Sequence, residues 1–333
     1  MGKVTIKNYT QNGYEYFSID NDHLKLSFIP SLGGKMAELN SKKTGTQFLQ
    51  EPQSQYKTAS YGDPFENYDT SGFDECFPTI EDTHFSINGS EEQEEIFLPD
   101  HGELWSRPWN YDVDGDRVKL SIQGVRLDYE FSKEISLHDN KIQISYSVKN
   151  NADFGFAYLW SAHPLLNVQP GNQVYLADPI EEVFLNGTSD EKLGDYGDIL
   201  PWPFLDNETN YSEVQQKKLN SAVKVFTHRL KKGCAGIYKP KTDESLVYHF
   251  DTNEIPFLGI WLCYGGWPDH TDNKHLTVGL EPTNGRPDSV QKAKDRKECP
   301  FLEAGATDTW TLTIDIIQGK PDFENCNLFS TDN

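Results

Sequence analysis

The chain has 333 residues, a formal net charge of −22 at pH 7 and a pI near 4.7. Nucleic-acid phosphates and an anionic membrane surface would repel such a chain, so we expect neither as a partner. Its five cysteines include no Cys-x-x-Cys pair, the N-terminus lacks the apolar run of a secretory signal, and no stretch approaches the roughly 18 apolar residues of a membrane span. We therefore expect a cytoplasmic protein without a disulfide framework or a zinc site.

Alternating apolar and polar residues predict strands along the first half of the chain. A strand over residues 23–29 leads into a glycine turn at residues 30–34. Three further strands are separated by turn signals at roughly ten-residue spacing, which is typical of an antiparallel sheet. They cover residues 117–123, 127–131 and 141–149.

The second half continues this pattern and adds two candidate helices. Strands are predicted over residues 234–238, 245–251, 257–264 and 309–317. Short helices are predicted over 213–219, with Ser212 as the cap, and over 290–297. Because helical periodicity is otherwise scarce and there is no clean linker, we predict an all-β fold, a single domain over residues 1–333 that forms a large antiparallel β-sandwich.

A carboxylate followed by a proline ends one further predicted strand. Leu276, Val278 and Leu280 alternate as in a half-buried strand, and Glu281 then precedes Pro282. Proline donates no hydrogen bond to a strand ladder, so we expect the strand to end there or to become an edge. A carboxylate fixed by a rigid element suits proton transfer. A solvated glutamate at the rim of a sheet is the alternative interpretation.

Two distant segments each place a histidine beside aromatic residues. His101 precedes a glycine within residues 98–109, and His163 precedes a proline within residues 158–166. Either could be a packed imidazole in the core. Together with the Glu281 segment and the glycine turn, and in this order, they resemble the aldose 1-epimerase (galactose mutarotase-like) superfamily. The resemblance spans about residues 28–310.

The resemblance implies a galactose mutarotase-like fold and an isomerase that interconverts the α and β anomers of a free aldose. Glu281 would act as the base, His163 as the acid, and His101 would bind the substrate near its ring oxygen. A carboxylate and an imidazole are suited to this chemistry because both can be tuned to near pH 7. The resemblance implies no metal and no cofactor.

Substrate binding is where the chain departs from this family. Typical members carry an Asn-Arg pair before the first histidine, whereas this chain has Asp74 and Glu75 at the corresponding place. We expect these two acids to line the pocket and to favour a neutral sugar over a phosphate. An exposed acidic turn is the alternative interpretation. Arg107 and Trp261 are candidate contacts for hydroxyl groups and for a sugar face. The family's binding aspartate has no identifiable counterpart between the second histidine and the glutamate.

Two other functions are compatible with these residues. A hexose-6-phosphate 1-epimerase would need a cationic cluster in the pocket, which the two acids oppose. A non-catalytic carbohydrate-binding protein would not need a base opposite an acid.

A zinc site formed by His101, His163 and Glu281 lacks close ligand spacing in the sequence. We expect a small-molecule sugar as the partner, and a monomer or a weak homodimer.

Overall fold

A computed structural model describes residues 3–87 and 95–323, and it consists almost entirely of β-strands. The strands are β1 (Thr5–Gln11), β2 (Tyr14–Asp20), β3 (Leu24–Ile29), β4 (Lys35–Ser41), β5 (Phe73–Cys76), β6 (Thr83–Ser86), β7 (Glu95–Leu98), β8 (Asn110–Asp114), β9 (Arg117–Gln123), β10 (Tyr129–His138), β11 (Lys141–Asn150), β12 (Phe156–Ala157), β13 (Ser161–Asn167), β14 (Gln173–Leu176), β15 (Glu182–Thr188), β16 (Ile199–Pro201), β17 (Ser221–Phe226), β18 (Cys234–Lys239), β19 (Glu244–Phe250), β20 (Phe257–Tyr264), β21 (Leu276–Thr283), β22 (Phe301–Leu302) and β23 (Thr307–Gln318).

Helical structure in the described residues is short. The α-helix α1 (Val290–Arg296) begins after Ser289, whose hydroxyl accepts a hydrogen bond from the Lys292 N–H. Three 3₁₀ turns are also present, at Phe65–Asn67, Glu191–Leu193 and Lys217–Leu219. No helix within residues 3–87 and 95–323 has the length and apolar character needed to cross a membrane.

Two large antiparallel sheets form the sandwich. The 11-stranded sheet has the order β1-β2-β3-β4-β5-β13-β21-β20-β17-β15-β16, and the 8-stranded sheet has the order β14-β18-β19-β23-β11-β10-β9-β8. Aromatic side chains join the two sheets across the core. Phe17 of β2 stacks on Tyr111 of β8 with ring centroids 4.9 Å apart, and Trp160, just before β13, lies 4.7 Å from Tyr146 of β11. The predicted all-β sandwich is confirmed.

Most predicted elements are present, and one is not. The strands expected at residues 117–123 and 257–264 are β9 and β20, and the helix expected at 290–297 is α1. The helix predicted over residues 213–219 is wrong. The backbone at the start of this segment instead forms hydrogen bonds with residues 172–174. The Ser212 carbonyl accepts from the Val174 N–H, and the Val214 N–H donates to the Asn172 carbonyl.

The prediction that the strand of Glu281 ends at Pro282 is also wrong. β21 continues to Thr283 and lies inside the large sheet, between β13 and β20. Ser161 pairs with Thr283 and Leu165 pairs with Gly279, but the ladder between β13 and β21 is open over the residues in between. Each strand has a proline there, Pro164 and Pro282, and neither has an N–H to place in the ladder.

The cysteines differ from one another in state. Cys76, Cys263 and Cys299 are free thiols. Cys234 is disulfide-bonded, which the spacing of cysteines in the sequence did not predict. Cys326 lies outside the described residues.

Candidate active site

One face of the large sheet brings together polar side chains from five neighbouring strands. The open register between β13 and β21 places His163 opposite Glu281, since Ser161 and Leu165 pair with Thr283 and Gly279. On the far side of His163, β5 contributes Asp74 and Cys76. On the far side of Glu281, β20 contributes Trp261 and β17 contributes Lys224, which pair directly. Because paired residues share a face of a sheet, these side chains point the same way.

His101 approaches this face from the loop that follows β7. Its backbone has φ 58°, and its N–H donates to the Ile80 carbonyl at 2.7 Å. Gly102, next in the chain, cannot be replaced without strain, because an added Cβ would lie 2.2 Å from the Phe77 carbonyl oxygen. The loop is therefore held against the end of β5, and the His101 ring lies 4.8 Å from the His163 ring at 82°.

A cavity of about 510 Å³ opens between the sheet face and this loop. Four residues singled out in the sequence line it, namely His101, His163, Glu281 and Trp261. The lining residues that were not among the candidates include Phe65, Asp100, Lys224, Trp267 and Asp288. The cavity combines aromatic surface with a few converging polar groups, which is typical of sites for small molecules.

The two carboxylate oxygens of Glu281 have different surroundings. Oε2 accepts a hydrogen bond from the Lys224 ammonium, and the side chain is 1% exposed. Oε1 is buried and has no hydrogen-bond partner among the described residues. A buried carboxylate oxygen without a donor is costly and therefore rare in a folded protein. One oxygen is thus anchored, while the other is available to accept a proton or a donor from a bound molecule.

Lys224 is shared between two acids. Its ammonium bonds Glu281 and lies 3.7 Å from the Asp288 carboxylate. Burial opposes the charge, but the carboxylates of Asp288 and Glu281 outweigh it and raise the pKa of Lys224. Burial raises the pKa of Asp288 to about 6, although Lys224 opposes the shift. Lys224 is therefore a permanent cation that positions Glu281, and it is not a free amine nucleophile.

The sequence analysis missed Lys224, although its pattern contained a signal. A lysine lies between two valines in a strand whose other residues are mostly apolar, and all six residues of β17 are buried. A lysine in such a strand must be paired. Asp288 follows Glu281 by seven residues and was not among the candidates either.

The two histidines differ in their electrostatic surroundings. Burial lowers the pKa of His163 well below 6.5, and the charges of His101, Lys224 and Lys35 add to this effect. His101 instead holds the Asp100 carboxylate against its Nδ1 atom at 2.8 Å. Although burial opposes it, the His101 imidazole lowers the pKa of Asp100. His163 is therefore a neutral imidazole, whereas the ring of His101 is held by a carboxylate.

The expectation that Asp74 and Glu75 line the pocket is wrong. Asp74 lies beside His163 on the same sheet face, but its carboxylate is 2.5 Å from the Lys35 ammonium and 1% exposed. Glu75 points into the core between the sheets. It accepts hydrogen bonds from Tyr146 and Trp160 and pairs with the Lys133 ammonium at 3.2 Å. Each acid is thus paired with an internal cation, since a buried charge needs a partner, although Asp74 Oδ1 has no hydrogen-bond partner among the described residues.

Arg107 is also placed outside the cavity. Its guanidinium donates to the Gln123 carbonyl at 2.6 Å in the loop before β8. That loop instead supports the site from behind. The Gly33 N–H donates to the Arg107 carbonyl, and a Cβ on Gly33 would lie 2.3 Å from the Trp105 carbonyl oxygen. The N-terminal glycine turn and the His101 segment thus pack on each other.

One set of side chains at this site has the composition of a metal site. Ligand atoms of Cys76, His101 and His163 all lie within 4.8 Å of one another. The spacing of these residues in the sequence gave no such indication, because the three come from different elements.

Comparison with known proteins identifies the fold. No protein-family model matches the sequence, and no curated protein is significantly similar to it. A galactose mutarotase-like protein from Clostridium acetobutylicum superposes with a TM-score of 0.68 at 16% identity, over 95% of this chain and 99% of that one. A Klebsiella pneumoniae protein, proposed to be an aldose 1-epimerase, superposes with a TM-score of 0.70 at 14% identity, over 96% and 85% of the two chains.

A third structure agrees with these two. A galactose mutarotase related enzyme from Lactobacillus acidophilus superposes with a TM-score of 0.66 at 14% identity, over 92% of this chain and 99% of that one. At such low identity these likenesses establish the fold and not the reaction. The chain therefore has the galactose mutarotase-like β-sandwich that its sequence predicted.

Proposed function

We propose that this protein is an aldose 1-epimerase that interconverts the α and β anomers of a neutral free sugar. The observation that carries the proposal is the buried, unpartnered Oε1 of Glu281, which lines the same cavity as His101 and His163. Ring opening of a pyranose requires a base at the anomeric hydroxyl and an acid at the ring oxygen. A carboxylate and an imidazole, one on the sheet and one on the facing loop, supply both groups.

In this mechanism, Glu281 Oε1 removes the proton from the anomeric hydroxyl while the bond between C1 and the ring oxygen breaks. An imidazolium donates its proton to the ring oxygen, and the open-chain aldehyde forms. Rotation about the C1–C2 bond exposes the other face of the aldehyde. The two protons then return by the reverse steps, so Glu281 and the imidazole exchange roles during closure.

We assign the acid role to His101 rather than to His163, which the resemblance favoured. An acid must hold its proton near neutral pH. The lowered pKa of His163 disfavours its charged form, whereas the ring of His101 lines the cavity and is oriented by the Asp100 carboxylate at its Nδ1 atom. His163 then serves as a neutral hydrogen-bonding group, and Lys224 holds Glu281 in position.

The alternatives have less support from the site. Lys224 is the one lysine or arginine among the described lining residues, and two carboxylates already neutralise it. A phosphate would therefore meet no free lysine or arginine among the described lining residues, which disfavours a hexose-6-phosphate 1-epimerase. A protein that only binds sugars could use the free oxygen of Glu281 to accept a hydroxyl group, but it would not need an imidazole opposite that carboxylate.

The proposal is tested by measuring anomer exchange directly. Two-dimensional NMR exchange spectroscopy, on a panel of neutral aldoses and their 6-phosphates, detects the interconversion of α and β signals at equilibrium. We expect catalysed exchange for at least one neutral aldose. Uncatalysed rates across the whole panel, with sugar binding detected by calorimetry, would instead establish a binding protein.

A further inference from the structure

We propose that Cys76, His101 and His163 form a binding site for a divalent transition metal, zinc foremost, and that zinc binding there inhibits the epimerase. Cys76 ends β5, His163 lies on the adjacent strand β13, and His101 comes from the facing loop. The sheet register places the Cys76 thiol and the His163 imidazole on the same face at diagonal positions, and the loop adds the second imidazole.

The ligand atoms are close enough for one ion. They lie within 4.8 Å of one another, and a tetrahedral zinc site with bonds of about 2.0–2.3 Å holds its ligand atoms roughly 3.3–3.8 Å apart. A shift of about 1 Å in the longest pair would bring the three atoms to zinc-binding distances. Two imidazoles and a thiolate suit zinc better than magnesium or calcium, which prefer oxygen ligands.

Two further observations point to a ligand at this position. His163 is 7% exposed, and its Nδ1 atom has no hydrogen-bond partner within the described part of the chain. His101 presents Nε2 to the cavity because Nδ1 is held by the Asp100 carboxylate. A carboxylate behind the ring is the arrangement that orients most metal-binding histidines.

The geometry also makes zinc binding and catalysis exclusive. The Nε2 atom that would bind the metal is the atom that donates its proton to the ring oxygen in the proposed mechanism, so a metal-bound His101 cannot act as the acid. Binding converts the Cys76 thiol to a thiolate and releases its proton to the solvent. The inhibition rests on the proposed function, whereas the binding does not.

The binding is tested first, without reference to activity. The reduced wild-type protein is titrated with Zn²⁺ against a chromophoric chelator, and with Co²⁺ to observe a thiolate-to-cobalt charge-transfer absorption. Cys76→Ser and Cys76→Ala are compared with Cys299→Ala as the matched control, and thermal melting checks that all three fold. We expect one zinc per wild-type chain, at least about 100-fold weaker binding in both Cys76 variants, and unchanged binding in the control.

The inhibition is tested with the same proteins. Each variant's anomer-exchange rate is measured with and without Zn²⁺ and expressed relative to its own zinc-free rate. We expect zinc to inhibit wild type and the Cys299→Ala control, chelation to restore the rate, and the Cys76 variants to need far more zinc.

Three outcomes would overturn the proposal. These are no zinc binding by wild type, equal binding with and without Cys76, and an exchange rate that zinc leaves unchanged or raises. If no sugar in the panel is a substrate, the proposed function fails, but the titrations and the cobalt absorption still decide whether the metal site exists.

Discussion

Glu281 shows how a buried carboxylate can be anchored and yet remain available. Its Oε2 atom is bonded to Lys224, which Asp288 also contacts, and its Oε1 atom is left without a donor among the described residues. A lone buried charge would be far too costly, so the lysine is needed to keep the carboxylate in the cavity. These contacts fix the position of the Glu281 carboxylate and leave its Oε1 atom free to accept a hydrogen bond or a proton.

At this scale, Asp100→Asn tests which histidine is the acid. The Asp100 carboxylate bonds Nδ1 of His101 at 2.8 Å and so fixes the orientation of this ring in the cavity. We expect Asp100→Asn to lower kcat/KM by up to about 100-fold, because a misplaced acid loses its alignment with the ring oxygen of the sugar. The measurement is the anomer-exchange rate from pH 5 to 9. Asp112→Asn on β8 is the control, and an unchanged rate in Asp100→Asn would return the acid role to His163.

At the scale of elements, two glycines make room for the ion pair on the sheet face. A Cβ on Gly259 of β20 would lie 3.3 Å from the Lys224 ammonium nitrogen, and one on Gly279 of β21 would lie 2.8 Å from Glu281 Oε1. Real Cβ atoms do not tolerate the second distance, so a side chain at Gly279 must displace the carboxylate. The absence of these two side chains therefore sets where the base can lie.

Gly279→Ala should reduce the rate without unfolding the protein. The displaced carboxylate loses its alignment with the substrate, and a misplacement of about 1 Å can cost up to about 100-fold in rate. Gly187→Ala in β15 is the matched control, because a Cβ there meets no atom within 4 Å. Exchange rates and melting temperatures are measured for both variants. Equal rates in the two would show that Glu281 Oε1 is not the base.

The junction of β4 and β5 makes a prediction about stability. Burial raises the pKa of Asp74 to about 6, with Lys35 opposing and Asp69 adding to the shift. In the unfolded chain this carboxyl titrates near 3.8. Between these two pH values the folded state holds the proton more tightly, so this group lowers stability as the pH rises from about 4 to about 6.

Asp74→Asn removes this titration. The free energy of unfolding of wild type minus that of the variant should therefore fall by about 1–3 kcal/mol from pH 4 to pH 6 and stay level above pH 7. Urea unfolding at a series of pH values measures this difference. A difference that is constant over the window, or that rises with pH, would contradict the assignment of the raised pKa to Asp74.

The sequence predicted elements better than it predicted the site. Alternation identifies β9 and β20 because it depends only on neighbouring residues. It failed at residues 213–219, where pairing with β14 overrides the local preference, and at Pro282, where an open ladder removes the need for an N–H. The prediction that Asp74 and Glu75 line the pocket failed because local sequence cannot show the ion pairs that Lys35 and Lys133 form with them. Lys224 was missed for the same reason.

At the scale of the whole molecule, charge still favours a neutral substrate, although for a different reason from the one the sequence suggested. The cavity is lined by Lys224 together with several acids; these are Glu66, Glu81, Asp82, Asp100, Glu281 and Asp288. The chain as a whole carries a formal net charge of −22. Both the local and the long-range field therefore oppose the approach of an anion.

The charge around the cavity therefore predicts a preference for uncharged substrates. We expect kcat/KM to be at least about tenfold higher for the preferred neutral aldose than for its 6-phosphate, because each uncompensated contact between like charges costs about 1 kcal/mol in water and more where water is excluded. The gap should narrow as salt is added, since salt screens the repulsion. A preference for the phosphate, or a gap that widens with salt, would contradict this view of the cavity.

We propose that Glu281 is the base of the anomer exchange, and a comparison of two Glu→Gln variants tests this role. Glu281→Gln keeps the shape of the side chain and removes the base, and Glu134→Gln on the exposed face of β10 is the matched control. NMR exchange spectroscopy gives the rate, and calorimetry gives the affinity for the same sugar. We predict a loss of at least about 10²–10⁴-fold in the rate with binding retained, and a control equal to wild type. Catalysed exchange near the wild-type rate in Glu281→Gln would contradict the account.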